Sequence, residues 1–269
     1  MNVEITEFEK RFCFELCPVT QLCGQNVCNK NYIFESLRRY FGTFKYSESK
    51  NKWRDNVFID NNQVGRKFFS VLSISNKTDI IQMIKLTKQS LLMEDFDWQL
   101  HLRNLSEEIE IMFQIINDQV NKVGDIELSY SMSDVWDMVQ KSEVSGIDDT
   151  ELSDKSNAEL ILILLNIVDN VLKNNPKKTL ILFENLDHLV SLEEYIEIIH
   201  AAATISKKYD LYFIFSSSLN KYVCCDIDFL EGISIFGDVH FQMPEYNRKK
   251  IILMKKNFQM NMFKKLYAI

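Results

Sequence analysis

The chain has 269 residues, 46% of them hydrophobic, and carries a net charge of −7. That is enough apolar chain for a compact body with one large insertion, and it excludes a disordered protein. With 7 Gly and 3 Pro against 19 Phe, 10 Tyr and 10 Met, linkers and low-complexity tracts are excluded too, and most of the length is expected in regular elements.

The charge is unevenly spread. Residues 1–90 hold 14 Lys and Arg against 9 Asp and Glu, residues 91–170 hold 4 against 18, and residues 171–269 hold 13 against 11. An acidic average therefore does not argue against nucleic acid, which needs a local basic surface.

The N-terminus carries Glu4, Glu7, Glu9 and Lys10 where an export signal needs an apolar run, so a cytoplasmic protein is expected. Pro18 to Cys23 reads as the first buried strand, a short apolar and β-branched run. Directly after it comes Gly24-Gln25-Asn26-Val27-Cys28-Asn29-Lys30-Asn31, then an amphipathic helix with Ile33, Leu37, Tyr40 and Phe41 on one face. The register is that of the phosphate-binding loop GxxxxGK[ST], with Gly24 and Lys30 in place. Asn29 replaces the second Gly, and Asn31 replaces the hydroxyl that would ligate Mg²⁺.

Phe68 to Ile74 reads as the next strand, after which the periodicity turns helical. Leu105, Ile109, Met112, Ile116 and Val120 draw an apolar stripe, and Leu160, Ile161, Leu164, Val168, Val171 and Leu172 draw another. Residues 76–175 are therefore predicted to be an all-α insertion, a leg. Its most apolar run, Leu160 to Val168, is interrupted by Asn166 and followed by Asp169, far short of the ~20 apolar residues of a membrane helix.

Strand signals return at Thr179 to Phe183 and Leu211 to Phe215, and more weakly from Ile233 to Met243. Residues 1–75 and 176–247 are thus predicted to form one α/β head with a parallel-rich sheet, followed by a basic tail over residues 248–269. The run Thr179 to Phe183 ends in Glu184 and Asn185, like a Walker-B strand that has lost its Asp–Glu pair. Lys30 and Glu184 are expected to pair with each other at the strand ends rather than hold a nucleotide.

The cysteines (13, 17, 23, 28, 224 and 225) form no CxxC pair and no zinc-ligand spacing, so buried, reduced thiols are expected. The four histidines are scattered and receive no catalytic role.

At these residues the chain resembles the long variant of the accessory protein that accompanies the integrase pair and effector nuclease of type II-A CRISPR loci, the Csn-two family. The likeness runs over residues 8–245. It is carried by VTQLCGQN, YIFESLRRYFGTFKYSESKNKWRDNV, GRKFFSVLSIS, FDWQLHLR, GDIELSYSMSDVWDMVQKS, PKKTLILFENLDHLVS, YDLYFIFSSS and GISIFGDVHFQMPE.

The resemblance implies a head with a degenerate P-loop-like fold and a helical leg, assembled as a homotetrameric ring around a basic channel. It also implies binding of double-stranded DNA ends, calcium as a structural ion, no ATPase activity and no bound nucleotide. A role in spacer acquisition beside the CRISPR integrase subunits and effector nuclease follows from the same likeness.

The DNA surface is expected at Arg38, Arg39, Lys45, Lys50, Lys52, Arg54, Arg66 and Lys67, interleaved with Tyr40, Tyr46 and Trp53. No zinc finger, helix-turn-helix or aromatic RNA-binding signature is present, so base-specific readout is not expected. For calcium, Asp125 and Glu127 are the leading candidates, with Asp134 and Asp137 as alternatives. Two other readings are an active P-loop NTPase and an adaptor that binds protein alone. The losses at Asn29, Asn31, Glu184 and Asn185 weigh against the first, and the basic N-terminal third against the second.

Overall fold

The computed structural model describes residues 1–7, 10–42, 57–88, 90–102, 105–123, 128–129, 131–147, 149–219, 221–237 and 240–243. The chain divides into two compact units, Met1–Lys77 with Pro176–Ile269, and Thr78–Asn175.

The first unit is built on a six-stranded sheet. Its strands are β3 (Val19–Cys23), β6 (Ser70–Ile74), β7 (Thr179–Phe183), β8 (Leu211–Ser216), β9 (Ile233–Phe236) and β10 (His240–Gln242), in the order β10-β9-β3-β8-β7-β6. All neighbours run parallel except β10 on β9. Every residue of β3, β7 and β9 is buried, as expected of strands covered on both faces.

One face is covered by α1 (Val27–Phe41), through Ile33, Phe34, Leu37, Tyr40 and Phe41. The other carries α7 (Leu192–Ser206), with Tyr195, Ile198, Ile199 and Ala202 fully buried. Burying side chains of this size is worth about 1.5–3 kcal/mol each, so both helix positions are strongly fixed.

Beyond α1 lies a second, antiparallel sheet in the order β2-β1-β4-β5, from β1 (Asn2–Glu7), β2 (Lys10–Glu15), β4 (Val57–Ile59) and β5 (Asn62–Gln63). Val3, Ile5, Phe12 and Phe14 point into the same core as α1, while Glu4 and Arg11 pair on the outer face at 2.5 Å. Asp60 and Asn61, both at positive φ, form the two-residue turn from β4 to β5.

This antiparallel sheet departs from the sequence reading, which began the strands at Pro18. Two further differences are local. The segment Ile233 to Met243 is a pair of antiparallel strands, and β6 starts at Ser70 because Phe68 and Phe69 lie in a turn under the Lys178 ammonium, 4.5 Å above the Phe68 ring.

The second unit is helical: α2 (Lys77–Ile84, whose first residue closes the first unit), α3 (Leu91–Leu102), α4 (Leu105–Val120), α5 (Met132–Gln140) and α6 (Asn157–Asn174). α6 starts at a reciprocal Ser156/Glu159 capping box and buries Leu160, Ile161, Leu164, Val168, Val171 and Leu172, with α3 packed along it. α4 behaves differently. Ile111, Met112, Ile115 and Ile116 are exposed, so part of the stripe read from the sequence faces outward. Among the described residues, no helix is long and apolar enough to cross a membrane.

Candidate functional site

The carboxyl ends of the parallel strands are where α/β sheets place their ligands, and here the β3–α1 loop sits among them. Gly24 opens that loop at φ +103°, and a Cβ there would stand 2.3 Å from the Phe236 carbonyl oxygen. Glycine is required on both counts, backbone conformation and close approach of β9. Asn26 caps α1, accepting from the Asn29 N–H at 3.1 Å, while its own N–H and side-chain amide donate to the carbonyls of Phe236 and Gly237.

Lys30 follows one turn into α1 and is fully buried. Its ammonium does not project into an open cradle. It donates to the Gly24 carbonyl at 2.6 Å, the Ser217 carbonyl at 2.5 Å and Ser218 Oγ at 3.1 Å. All three donors of the ammonium are thus spent on the chain itself. Burial lowers the Lys30 pKa, while the neighbouring Asp187 carboxylate favours the charged form.

Asp187 lies in a short 3-10 turn after β7 and is buried. Its Oδ2 accepts from the Ser218 and Leu219 N–H groups, both at 2.6 Å, fixing the loop that supplies two of the partners of Lys30. Sequence reasoning missed Asp187, Ser217 and Ser218. The apolar run followed by E-N-x-D, and the serine triplet closing β8, were the available signals.

The expected Lys30–Glu184 pair is not formed. Glu184 follows β7, two strands away from β3 across the sheet, and accepts from Ser73 of β6 at 3.0 Å. Asn185, at φ 52°, takes a left-handed turn that an asparagine tolerates, and its N–H donates to Ser216 Oγ. Asn31 lies on the first turns of α1.

The basic residues divide by environment. Arg38 and Arg39 stand half-exposed on α1, both paired with Glu35, Arg39 at 2.8 Å. Arg66 is bound up with the end of α1, donating to the carbonyls of Tyr40 at 3.2 Å and Gly42 at 2.8 Å. Lys67 is exposed. Lys45, Lys50, Lys52 and Arg54 lie outside the described residues, as do Asp125, Glu127 and the 248–269 tail. Of the alternative acids, Asp134 already accepts from Ser131 N and Oγ at 2.8 Å in the capping box of α5.

The cysteines are unpaired, but not all are buried: Cys13 and Cys28 are exposed. Burial pushes the Cys23 thiol up to about 11, leaving it inert beside the loop.

Residues 5–260 match the model of a family described as CRISPR-associated protein Csn2, subfamily St. The solved structure of Stu0660 of Streptococcus thermophilus is 22% identical, covers 95% of this chain and 80% of its own, and superposes with a TM-score of 0.74. An SMC head domain from Thermotoga maritima is similar at 14% identity, covering 91% of this chain and 98% of its own, with a TM-score of 0.43. No curated protein matches the sequence.

Proposed function

Because the chain belongs to the St subfamily of the CRISPR-associated Csn2 proteins, accessory proteins of CRISPR adaptation, we propose that it binds ends of double-stranded DNA without reading sequence and without turning over nucleotide. The α/β unit is, in this reading, a P-loop head whose phosphate site has closed. The observation that carries it is Lys30. An ammonium already bonded to Gly24, Ser217 and Ser218 occupies the position from which a working loop would reach a phosphate.

DNA is held by charge. Lys67 and the Arg38–Arg39 pair, once drawn from Glu35 by phosphates, join Lys45, Lys50, Lys52 and Arg54 of the same basic segment, while Arg66 positions the end of α1. Assembly into a homotetrameric ring is supported by the apolar face of α4, where Ile111, Met112, Ile115 and Ile116 are 37–61% exposed. The carboxylates of Asp125 and Glu127 are hard oxygen donors suited to calcium, which in this proposal steadies copies of an acidic unit against one another. The CRISPR integrase subunits and effector nuclease are its protein partners, in the cytoplasm.

A mobility-shift series tests the proposal, comparing linear with covalently closed circular duplex, with calcium or chelator, at rising salt. Linear duplex binds irrespective of sequence, circles do not, and affinity falls steeply with salt. Equal retention of circles would remove the ring, and absence of any shift would remove DNA as the ligand.

A further inference from the structure

The cysteines and histidines show no metal spacing in the sequence, yet the fold brings two of them and an acid close together at one corner of the first unit. His200 lies on α7. Cys224 and Asp226 lie on the segment that leads from β8 into the short 3-10 helix Ile227–Gly232. One ligand atom from each of His200, Cys224 and Asp226 lies within 4.8 Å of the other two. We propose that these residues bind a divalent transition metal of the Zn²⁺ class.

The His200–Asp226 separation is close to what that ion needs. Bonds of ~2.3 Å to sulfur and ~2.0–2.2 Å to nitrogen and oxygen at tetrahedral angles place ligand atoms about 3.3–3.6 Å apart. His200 Nε2 and Asp226 Oδ2 now stand 3.0 Å apart, so an ion between them needs a spread of a few tenths of an ångström.

The donors are held before any metal arrives. The buried Gln21 side chain accepts from the Cys224 N–H at 2.7 Å and donates to the Cys224 carbonyl at 3.0 Å. The same Gln21 Oε1 accepts from Tyr195 OH of α7 at 3.2 Å, so one amide ties the Cys224 backbone to the helix that carries His200. Asp226 occupies the N-cap position of the 3-10 helix but makes no side-chain capping bond, and its carboxylate instead faces His200 and Cys224, the other two donors.

Imidazole, thiolate and carboxylate suit zinc, whereas nitrogen and sulfur do not suit calcium. This site is therefore separate from the calcium proposed above. His200 and Asp226 are 51% and 60% exposed, so an ion enters from solvent and keeps its fourth position toward it.

The test uses the full-length protein, reduced and stripped of metal. Zn²⁺ is titrated against a chromophoric chelator, and Co²⁺ is followed by absorbance. One tightly bound Zn²⁺ per chain is expected, unaffected by millimolar calcium, with a cobalt adduct showing tetrahedral visible bands and a thiolate charge-transfer band. His200→Ala should weaken Zn²⁺ by more than the roughly 10–100-fold that loss of an outer-shell partner costs. Cys224→Ser should abolish the charge-transfer band, and Cys13→Ser with Cys28→Ser should change neither. Because Cys224 is buried, His200→Ala and Asp226→Asn at exposed positions keep the test open if Cys224→Ser fails to fold. Failure of Zn²⁺ to compete with the chelator, or equal Zn²⁺ affinity in wild type, His200→Ala and Asp226→Asn, would overturn the site.

Discussion

Replacing Lys30 by Met, which nearly conserves volume, separates a structural lysine from a nucleotide-binding one. The change strands the carbonyls of Gly24 and Ser217 and leaves the buried Asp187 carboxylate without its neighbouring cation. Hydrogen bonds to charged groups are worth about 1.5–3 kcal/mol each, and removing one partner from a buried charged set costs about 3–5 kcal/mol. Some of this is offset, since burial already opposes the charged form of Lys30. The expected net loss is on the order of 3 kcal/mol. With a urea m-value of about 3 kcal/mol/M for a chain of this size, the midpoint falls by roughly 1 M. Circular dichroism during urea unfolding measures this, and ATP titration of both proteins serves as the second readout. A midpoint moved by less than about 0.3 M, with ATP bound by wild type and lost in the variant, would refute the reasoning.

Gly24→Ala forces a Cβ to 2.3 Å from the Phe236 carbonyl oxygen at φ +103°. Such backbone strain costs of order 1–3 kcal/mol before any clash, so a clear drop in melting temperature is expected, whereas Gly65→Ala, with open space around it, should leave melting unchanged. His240 stacks on Phe236 at 4.2 Å, and burial lowers its pKa below 6.5. Between that lowered value and 6.5 the unfolded chain binds the proton more readily, so acidification through this window costs stability. Urea midpoints at pH 7 and pH 5 should differ more in wild type than in His240→Phe, and an equal difference would show that His240 contributes nothing. Arg38→Gln with Arg39→Gln should lower the salt slope of linear-DNA binding by up to about 1.8 if both reach phosphates. Glu35→Gln, by releasing both arginines, should strengthen binding, and an unchanged slope in the double variant would place the DNA surface elsewhere.

The parts of the fold legible in the sequence were those with strong local signals. Thr179–Phe183 is five buried residues in a row, and a continuous apolar run needs no knowledge of its neighbours to be read as an interior strand. The antiparallel sheet was equally written in the alternation of Val3 and Ile5, and of Phe12 and Phe14. The charges of Glu4 and Arg11 beside them hid it, although charge on one face is what a half-solvated sheet requires. The apolar stripe of α4 was legible as a helix, but periodicity does not say what covers a face, and Met112 and Ile116 of the stripe are exposed together with Ile111 and Ile115. Arg66 is exposed, as a surface charge should be, but its bonds to the carbonyls at the end of α1 were not legible because those partners lie 24 and 26 residues away.

The loop after β3 was the harder case, since its two most suggestive residues each answer to a constraint that local sequence does not contain. Gly24 is demanded by the backbone of β9, more than 200 residues later in the chain, and Lys30 is held by Ser217 and Ser218 at the end of β8. Pairing Lys30 with Glu184 was the economical guess because both sit at strand ends, but β8 lies between β3 and β7, and its serines reach the ammonium first. The same order explains why a glycine and a lysine at phosphate-loop spacing do not by themselves require a nucleotide. Each is accounted for by packing, one by close backbone approach and the other by three internal acceptors. Nucleotide binding would require Lys30 to leave these acceptors, stranding the carbonyls of Gly24 and Ser217 that it now satisfies.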